Sequence, residues 1–167
     1  METFTDIPGG KWWKFDFHLH TPGSYDYGHG DESQANISPK EFLICCMEKE
    51  LDCIVITDHN TVRWIPQLRD ALEELRRNYS KFRELLIFPG FEVNVIGNIH
   101  LLCVFDPKTP YEDLVSMLPL IGYDADTDTT TKTIREIIEI VTSKNGIAIP
   151  AHVDKPSGLF SSSPSDV

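Results

Sequence analysis

Short apolar runs alternate along the chain with longer segments in which apolar residues recur at helical spacing. The apolar runs predict five strands, over residues 13–19, 53–57, 85–88, 99–105 and 147–151. Apolar residues three and four apart share a helix face, and this spacing predicts helices over residues 62–78, 110–118 and 133–143. Strands that alternate with helices are typical of an α/β domain with a mainly parallel sheet.

One more helix is predicted from its capping residues. Ser38 can cap it, Pro39 suits its first position and Glu41 can complete a capping box. We expect this helix to run to about Lys49. The strand that follows, over residues 53–57, is short, apolar and β-branched, as expected of a strand buried on both faces.

Polar and glycine-rich segments separate these elements and bound the domain. Residues 22–36 are rich in Gly, Ser and Asp and predict a long loop, and residues 124–131 predict a polar loop. We expect an irregular lead-in over residues 1–12, one domain over residues 13–158, and a polar, flexible tail over residues 159–167.

The size and composition agree with a single domain. The chain has 167 residues, of which 41% are hydrophobic, enough for a real core. Its apolar runs fall short of the ~18 residues that a membrane-spanning helix needs, and its first residues lack a secretory signal pattern. We therefore expect no membrane partner.

The cysteines favour a reducing compartment. Cys45, Cys46, Cys53 and Cys103 lie in apolar stretches and form no C-x-x-C pair. Reduced, buried thiols in a cytoplasmic protein explain this pattern better than structural zinc on cysteines.

The charge balance limits one class of partner. The formal net charge is −11, from 26 acidic and 15 basic residues. An acidic surface disfavours nonspecific attraction to nucleic-acid phosphates. It does not exclude a phosphorylated substrate, because bound divalent cations can supply local positive charge.

Histidines stand where three of the predicted strands end. His18 and His20 close the first strand, His59 follows the second and His152 follows the fifth. One such histidine means little. Repeated placement predicts that several strands point imidazoles at one spot, as at the C-terminal mouth of a (β/α) barrel.

The histidine pair is a weak signal alone and a stronger one in combination. His18 and His20 are two apart and share one face of a strand, but they could equally be an exposed or hydrogen-bonded couple. Glu92 lies just past the third strand and could bridge two cations, and His100 opens the fourth strand. If each histidine served a separate structural role, this joint placement would require several coincidences.

Three loop residues are harder to interpret. His29 is best explained as a mobile loop histidine. Asp26 could be a turn former, or it could fold back toward the ions. Asp58 could bind a metal directly or orient a neighbouring histidine.

Six motifs, taken together, resemble a known family. They are His18-Leu19-His20-Thr21, Ser24, Thr57-Asp58-His59, Gly90-Phe91-Glu92, Asn98-Ile99-His100-Leu101 and Ala151-His152. Their order from about residue 14 to 158 resembles that of the PHP (polymerase and histidinol phosphatase) superfamily. Residues 11–26 further resemble the N-terminus of PHP proteins that are fused to a large ATPase region.

The resemblance implies a distorted TIM-like (β/α)7 barrel that holds two or three divalent ions. The implied ligands are His18, His20, Asp26, His59, Glu92, His100 and His152. His18 and His20 would bind the first ion, and Glu92 would bridge it to the second. His100 and His152 would complete the second ion. His59 would bind the third, beside Asp26, where many members have a histidine.

The chain departs from the family at its end. The family closes its site with a late Asp-x-His motif, and no such motif follows His152. A TIM-type barrel needs about 250 residues, whereas this sequence predicts five strand–helix units. We expect an incomplete barrel from the N-terminal part of a longer protein, with an ATPase region further along. Exposed sheet edges would then favour self-association.

The expected activity is that of a metal-dependent phosphoesterase. Metal-activated water would hydrolyse a phosphate mono- or diester in a small molecule or at a nucleic-acid end. The residues implicated in catalysis are His18, His20, Glu92 and His152. Imidazole and carboxylate ligands suit Zn, Mn or Fe. Lys155 could contact a substrate phosphate or be a solvated surface lysine.

The sequence leaves two other functions open. The chain could be a noncatalytic, metal-binding or regulatory domain of a larger ATP-using protein. It could also be an amidohydrolase-like enzyme, since strands with a His-x-His sequence support amide hydrolysis on related barrels, by analogy of fold.

Overall fold

The computed structural model describes residues 12–28, 30–31, 36–96, 99–124, 129–155 and 158–161. His29 and most of the expected lead-in and tail lie outside the described residues. The strands are β1 (Phe15–Leu19), β2 (Cys53–Ile56), β3 (Leu86–Phe88), β4 (Gly90–Val95), β5 (Ile99–Val104), β6 (Tyr123–Asp124), β7 (Thr129–Thr130) and β8 (Ile147–Pro150). The helices are α1 (Pro39–Glu48), α2 (Ile65–Asn78), α3 (Tyr111–Met117) and α4 (Ile134–Ser143).

The first three strands form a parallel sheet in the order β1-β2-β3. All four residues of the central strand β2 are buried, as its apolar, β-branched sequence predicts. The pairing of β1 with β2 is irregular between Asp16 and Leu19. A local irregularity of this kind re-aims side chains, and His18 lies within it.

The second sheet is antiparallel, which corrects the expectation of a mainly parallel sheet. Its order is β4-β5-β8, and both pairings are antiparallel. The strand β4 is absent from the sequence prediction, because Pro89 and Gly90 indicate a turn rather than the start of a strand. The chain instead changes direction at Pro89, and β4 forms a hairpin with β5.

The strands of the described residues do not close into a barrel. They form two three-stranded sheets and the two-stranded pair of β6 with β7, so the expected (β/α)7 barrel is not seen in this part of the chain. The small pair lies within the polar loop expected over residues 124–131. An isolated parallel bridge between His59 and Glu92 joins the two larger sheets.

Local sequence signals explain the helices well. Ser38 caps α1 and forms the predicted capping box with Glu41, and Thr133 forms an equivalent box with Glu136 at α4. These caps satisfy backbone amides that have no partner within the helix. None of the helices in the described segments has the length and apolar composition needed to cross a bilayer.

Two apolar clusters hold the sheets and helices together. The larger one unites the helices with the sheets, and the 3-10 turn Leu159–Ser161 adds Leu159 to it where the sequence predicts the polar tail to begin. The smaller one is formed by Val55, Leu102, Val104 and Ala151. Cys45 is exposed, which corrects the expectation that all four thiols are buried.

Candidate metal centre

The carboxylate of Glu92 lies at the centre of a group of histidines. Its Oε2 atom is 2.8 Å from His18 Nε2 and 3.2 Å from His20 Nε2. Its Oε1 atom is 2.6 Å from His100 Nδ1 and 3.7 Å from His152 Nε2. The side chain is 1% exposed, so both oxygens are withdrawn from bulk water and turned toward imidazoles.

Both sheets contribute to this group. His18 is part of β1 and His20 follows it, whereas Glu92 and His100 lie on the neighbouring strands β4 and β5. His152 follows β8, in a left-handed backbone conformation with φ of 25°. The two sheets therefore bring together residues that are far apart in the sequence.

His59 extends the group toward the loop after β1. Its Nε2 atom is 3.4 Å from Asp26 Oδ2 and 3.7 Å from Glu92 Oε2. The amide of Glu92 donates a hydrogen bond of 3.0 Å to the Asp58 carbonyl, and the Asn60 amide donates one of 2.9 Å to the Glu92 carbonyl. These two backbone bonds fix the register between His59 and Glu92.

Potential ligand atoms occur in three overlapping groups. They are His18 with His20 and Glu92, His20 with Asp26 and His59, and His59 with Glu92 and His100. Within each group the ligand atoms lie within 4.8 Å of one another. The groups overlap at His20, His59 and Glu92. The two oxygens of Glu92 could serve two neighbouring ions, whereas a neutral imidazole has one free lone pair, so His20 and His59 would each bind one ion.

The first group has the spacing that a metal ion imposes on its ligands. His18 Nε2 and His20 Nε2 are 3.1 Å apart, similar to their distances of 2.8 Å and 3.2 Å from Glu92 Oε2. Ligands about 2.0–2.2 Å from one ion lie roughly 3 Å from each other in tetrahedral or octahedral geometry. The residues of this group therefore fit a bound cation.

The electrostatics of the cluster favour a charged Glu92. Burial alone would raise the pKa of Glu92, but hydrogen bonds with His100, His18 and His20 outweigh burial and hold this pKa below its usual value. Burial would lower the pKa of His20, yet its hydrogen bond with Glu92 and the nearby carboxylates raise it. A buried carboxylate that stays ionised is a suitable cation ligand.

Burial and neighbouring charges also shift the pKa values of His59, His152 and Asp26. Burial lowers the pKa of His59 despite the attraction of Glu92 and Asp26, and burial with the charge of His100 lowers the pKa of His152. Burial would raise the pKa of Asp26, but a hydrogen bond from Ser24 and the charge of His59 lower it. His59 and His152 therefore keep a lone pair available for a metal at lower pH.

Asp58 does not reach the cluster. It is fully buried and accepts hydrogen bonds of 2.5 Å from both the amide and the hydroxyl of Thr21. Burial raises its pKa to about 6, against the effect of these hydrogen bonds. Asp58 thus ties the loop after β1 to the end of β2, and its predicted alternative as a direct ligand gains no support from this geometry.

Ser24 is a connecting residue whose role the sequence did not predict. Its hydroxyl donates to Asp26 Oδ1 at 2.7 Å, accepts from the His59 amide at 3.1 Å and lies 3.3 Å from His20 Nδ1. Ser24 occurs in the recognised motif, but a serine in a polar loop carries no local signal for this role.

All seven predicted ligands line one open depression with a volume of ≈ 380 Å³. They are His18, His20, Asp26, His59, Glu92, His100 and His152. Lys155 follows in a turn closed by its amide and the His152 carbonyl at 2.9 Å, but it is not among the residues lining the depression. The geometry brings the seven together, and their roles as ligands stay predictions.

Similarity to other sequences is limited. No protein-family model matches the chain. An uncharacterised protein from Streptococcus pneumoniae is 29% identical over 76 residues, which cover 41% of this chain and 30% of that protein. The chain therefore spans less than a third of the length of this relative.

Solved structures show a clearer likeness. The lesion-specific endonuclease PfuEndoQ from Pyrococcus furiosus matches 89% of this chain and 37% of its own length, with a TM-score of 0.61 and 15% identity. An Endonuclease Q complex with a 27-mer duplex that has an abasic lesion at the active site gives a TM-score of 0.59 at 16% identity, over 90% of this chain and 38% of that one.

A third structure is a candidate metal-dependent phosphoesterase from Bifidobacterium adolescentis. It matches 86% of this chain and 68% of its own length, with a TM-score of 0.54 and 16% identity. At these identities the likeness concerns the fold alone. The described residues therefore share a mixed α/β fold with these proteins, which supports the PHP-type fold that the motifs predict.

Proposed function

We propose that this chain forms the metal site of a phosphoesterase, which hydrolyses a phosphate mono- or diester with metal-activated water. The observation that carries the proposal is the buried carboxylate of Glu92 held among five histidines. The candidate phosphoesterase and endonuclease functions of the structural neighbours support the same reaction class.

Divalent cations at such a site would supply an activated water and neutralise charge on the phosphate. The protein itself would position the ligands and keep a negative charge on Glu92. Glu92 turns one oxygen toward His18 and His20 and the other toward His100 and His152, so it is placed to bridge two ions. Because its pKa is held low, it stays ionised across the physiological range.

The donor set also bears on the identity and number of the ions. Imidazole nitrogens mixed with carboxylate oxygens suit Zn, Mn or Fe better than Ca. The three overlapping ligand groups support two or three ions. Asp26 supplies the group of His20, Asp26 and His59 with a carboxylate in place of a further imidazole, which favours a harder ion such as Mn at that position.

The substrate and setting of the whole protein are also proposals. The substrate is a phosphorylated small molecule or a nucleic-acid end, and the abasic duplex bound by Endonuclease Q is consistent with the second. A cytoplasmic location is supported by four cysteines that form no disulfide. Fusion to an ATPase region rests on the resemblance of residues 11–26 alone.

Metal content and hydrolysis, measured together, test the proposal. Purified protein, both as this chain and at full length, is loaded with Mn or Zn and assayed on phosphomonoesters and phosphodiesters. We expect metal-dependent release of product that Glu92→Gln and His18→Ala abolish together with metal binding. Glu139→Gln, on the exposed surface of α4, is the matched control and should leave both unchanged.

Two results would contradict the proposal. Bound metal without any turnover in the full-length protein would indicate a noncatalytic or regulatory domain. Hydrolysis of amides without hydrolysis of phosphoesters would indicate an amidohydrolase.

A further inference from the structure

Tyr25 is an exposed aromatic residue beside the group of Glu92 and the five histidines. It is 68% exposed, and its ring centroid lies 5.3 Å from that of His59, with the two planes tilted by 37°. His59 lines the depression and Tyr25 does not. The tyrosine ring therefore flanks the cluster from outside, next to one of the candidate ligands.

The loop around Tyr25 is held firmly. The Ser24 amide donates a hydrogen bond of 2.8 Å to the Thr21 carbonyl, and the Ser24 hydroxyl donates to Asp26 on the other side of Tyr25. Thr21 is in turn held by buried Asp58. Within residues 21–28, Tyr25 alone is exposed. A ring that contacts His59 and is carried on a backbone held in this way loses less conformational entropy when a ligand covers it.

The charge of the chain makes an apolar contact useful here. A phosphoester bound at the cluster has its phosphate satisfied by cations, whereas its alcohol part meets a protein of net charge −11. Recognition of that part by stacking needs no cationic side chain. Aromatic rings stack on any planar heterocycle, because every base presents a π-face.

We propose that Tyr25 determines specificity by stacking on a planar ring, such as a nucleobase, in the alcohol part of a phosphoester bound at the Glu92 cluster. This inference rests on the proposed function and deepens it from phosphoesters in general to those that carry an aromatic ring. Tyr25 takes no part in bond cleavage. Its contribution is to the binding of substrates with a ring over substrates without one.

Binding of two stable analogues to the metal-loaded chain tests the inference. The probes are phosphonate analogues of adenosine 5′-phosphate and of ribose 5-phosphate, in which a CH2 group replaces the ester oxygen and prevents hydrolysis. Calorimetry should show that the adenosine analogue binds about tenfold more tightly or better. Tyr25→Ala should remove this preference and leave the Kd of the ribose analogue unchanged, while Tyr25→Phe should keep it.

Tyr123→Ala is the matched control, because Tyr123 is an exposed tyrosine that does not line the depression. A preference that survives in Tyr25→Ala, or equal affinity of the wild type for both analogues, would overturn the inference and leave the proposed function standing. Failure of both analogues and of inorganic phosphate to bind the metal-loaded chain would contradict the proposed function itself.

Discussion

At the residue scale, Glu92 and Asp58 show how burial acts on two carboxylates with different neighbours. Glu92 has imidazole partners on both oxygens, so its pKa falls despite burial. Asp58 accepts hydrogen bonds from the neutral donors of Thr21, and these bonds and the charges of His20 and Arg63 do not outweigh burial, so its pKa rises to about 6. One carboxylate is therefore suited to binding cations, and the other to anchoring a loop.

The raised pKa of Asp58 predicts a pH-dependent effect of Asp58→Asn. In wild type the folded state binds the proton more tightly than the unfolded state, so this group's contribution to stability is lost as pH rises toward and through about 6. Asparagine lacks this dependence. In urea unfolding of metal-free protein, the stability of wild type relative to Asp58→Asn should fall by about 1 kcal/mol from about pH 5 to about pH 8. A stability difference between the two proteins that is constant with pH would contradict the raised pKa of Asp58.

Proton competition at His20 should make metal binding pH-dependent. The pKa of His20 lies above its usual value because of Glu92, and imidazole must be neutral to bind a metal. The affinity for Mn or Zn should therefore decline as pH falls, by about tenfold or more between about pH 7.5 and about pH 6. Competition with a chromogenic chelator measures it. A pH-independent affinity would exclude histidine ligands.

At the element scale, local signals predicted most strands and helices, and long-range pairing accounts for what was missed. The capping residues of α1, the apolar run of β2 and the periodicity of α4 act within their own segments, so sequence alone reveals them. The direction of β8 depends on its pairing with β5, which lies more than forty residues earlier. No local pattern encodes that choice.

Gly90 shows why β4 can begin directly after a turn. A Cβ atom at this position would overlap the carbonyl oxygen of Cys103 and lie 3.1 Å from that of Ile56. Both are backbone atoms of neighbouring strands, so little can move aside. Glycine thus permits the close approach that places Glu92, two residues later, at the cluster.

Gly90→Ala should therefore damage stability and metal binding together. We expect a loss of about 2 kcal/mol or more in the free energy of unfolding, measured with urea, and a weaker affinity for Mn. Gly30→Ala is the control: its φ of 82° adds strain, but a Cβ there meets nothing within 4 Å. Its cost should be about 1 kcal/mol, with no effect on metal affinity. Equal effects of the two variants would contradict the packing explanation.

At the scale of the whole molecule, the described part of each main sheet has an outer strand that pairs on one side only. Among the described residues β1 pairs with β2 alone, and β8 pairs with β5 alone. Phe17 on β1 and Ile147 on β8 are exposed apolar residues on these outer strands. Unpaired backbone groups next to apolar side chains favour pairing with another chain.

Self-association through these edges is therefore expected for this chain. Phe17→Lys and Ile147→Lys should shift light scattering toward monomer, because a charged residue on an edge strand opposes pairing. Ile138→Lys, at an exposed apolar position on α4, should leave the association unchanged. A monodisperse wild-type monomer with a cooperative thermal transition would contradict the prediction.

The convergence of distant histidines could be foreseen, because strand ends meet wherever strands share a sheet or face each other. The geometry by which they meet could not be predicted from the sequence. A single parallel sheet would place all these histidines along one edge, whereas here a single bridge between two sheets connects His59 with Glu92. The anchoring of the loop by Ser24 and Asp58 likewise depends on the tertiary structure and leaves no trace in local patterns.

Anomalous X-ray scattering from crystals grown with Mn or Zn tests the central claim most directly. We predict at least two metal peaks in the depression, one of them about 2.0–2.2 Å from His18 Nε2, His20 Nε2 and Glu92 Oε2. A depression without any peak under saturating metal, or metal bound only elsewhere on the chain, would contradict the account.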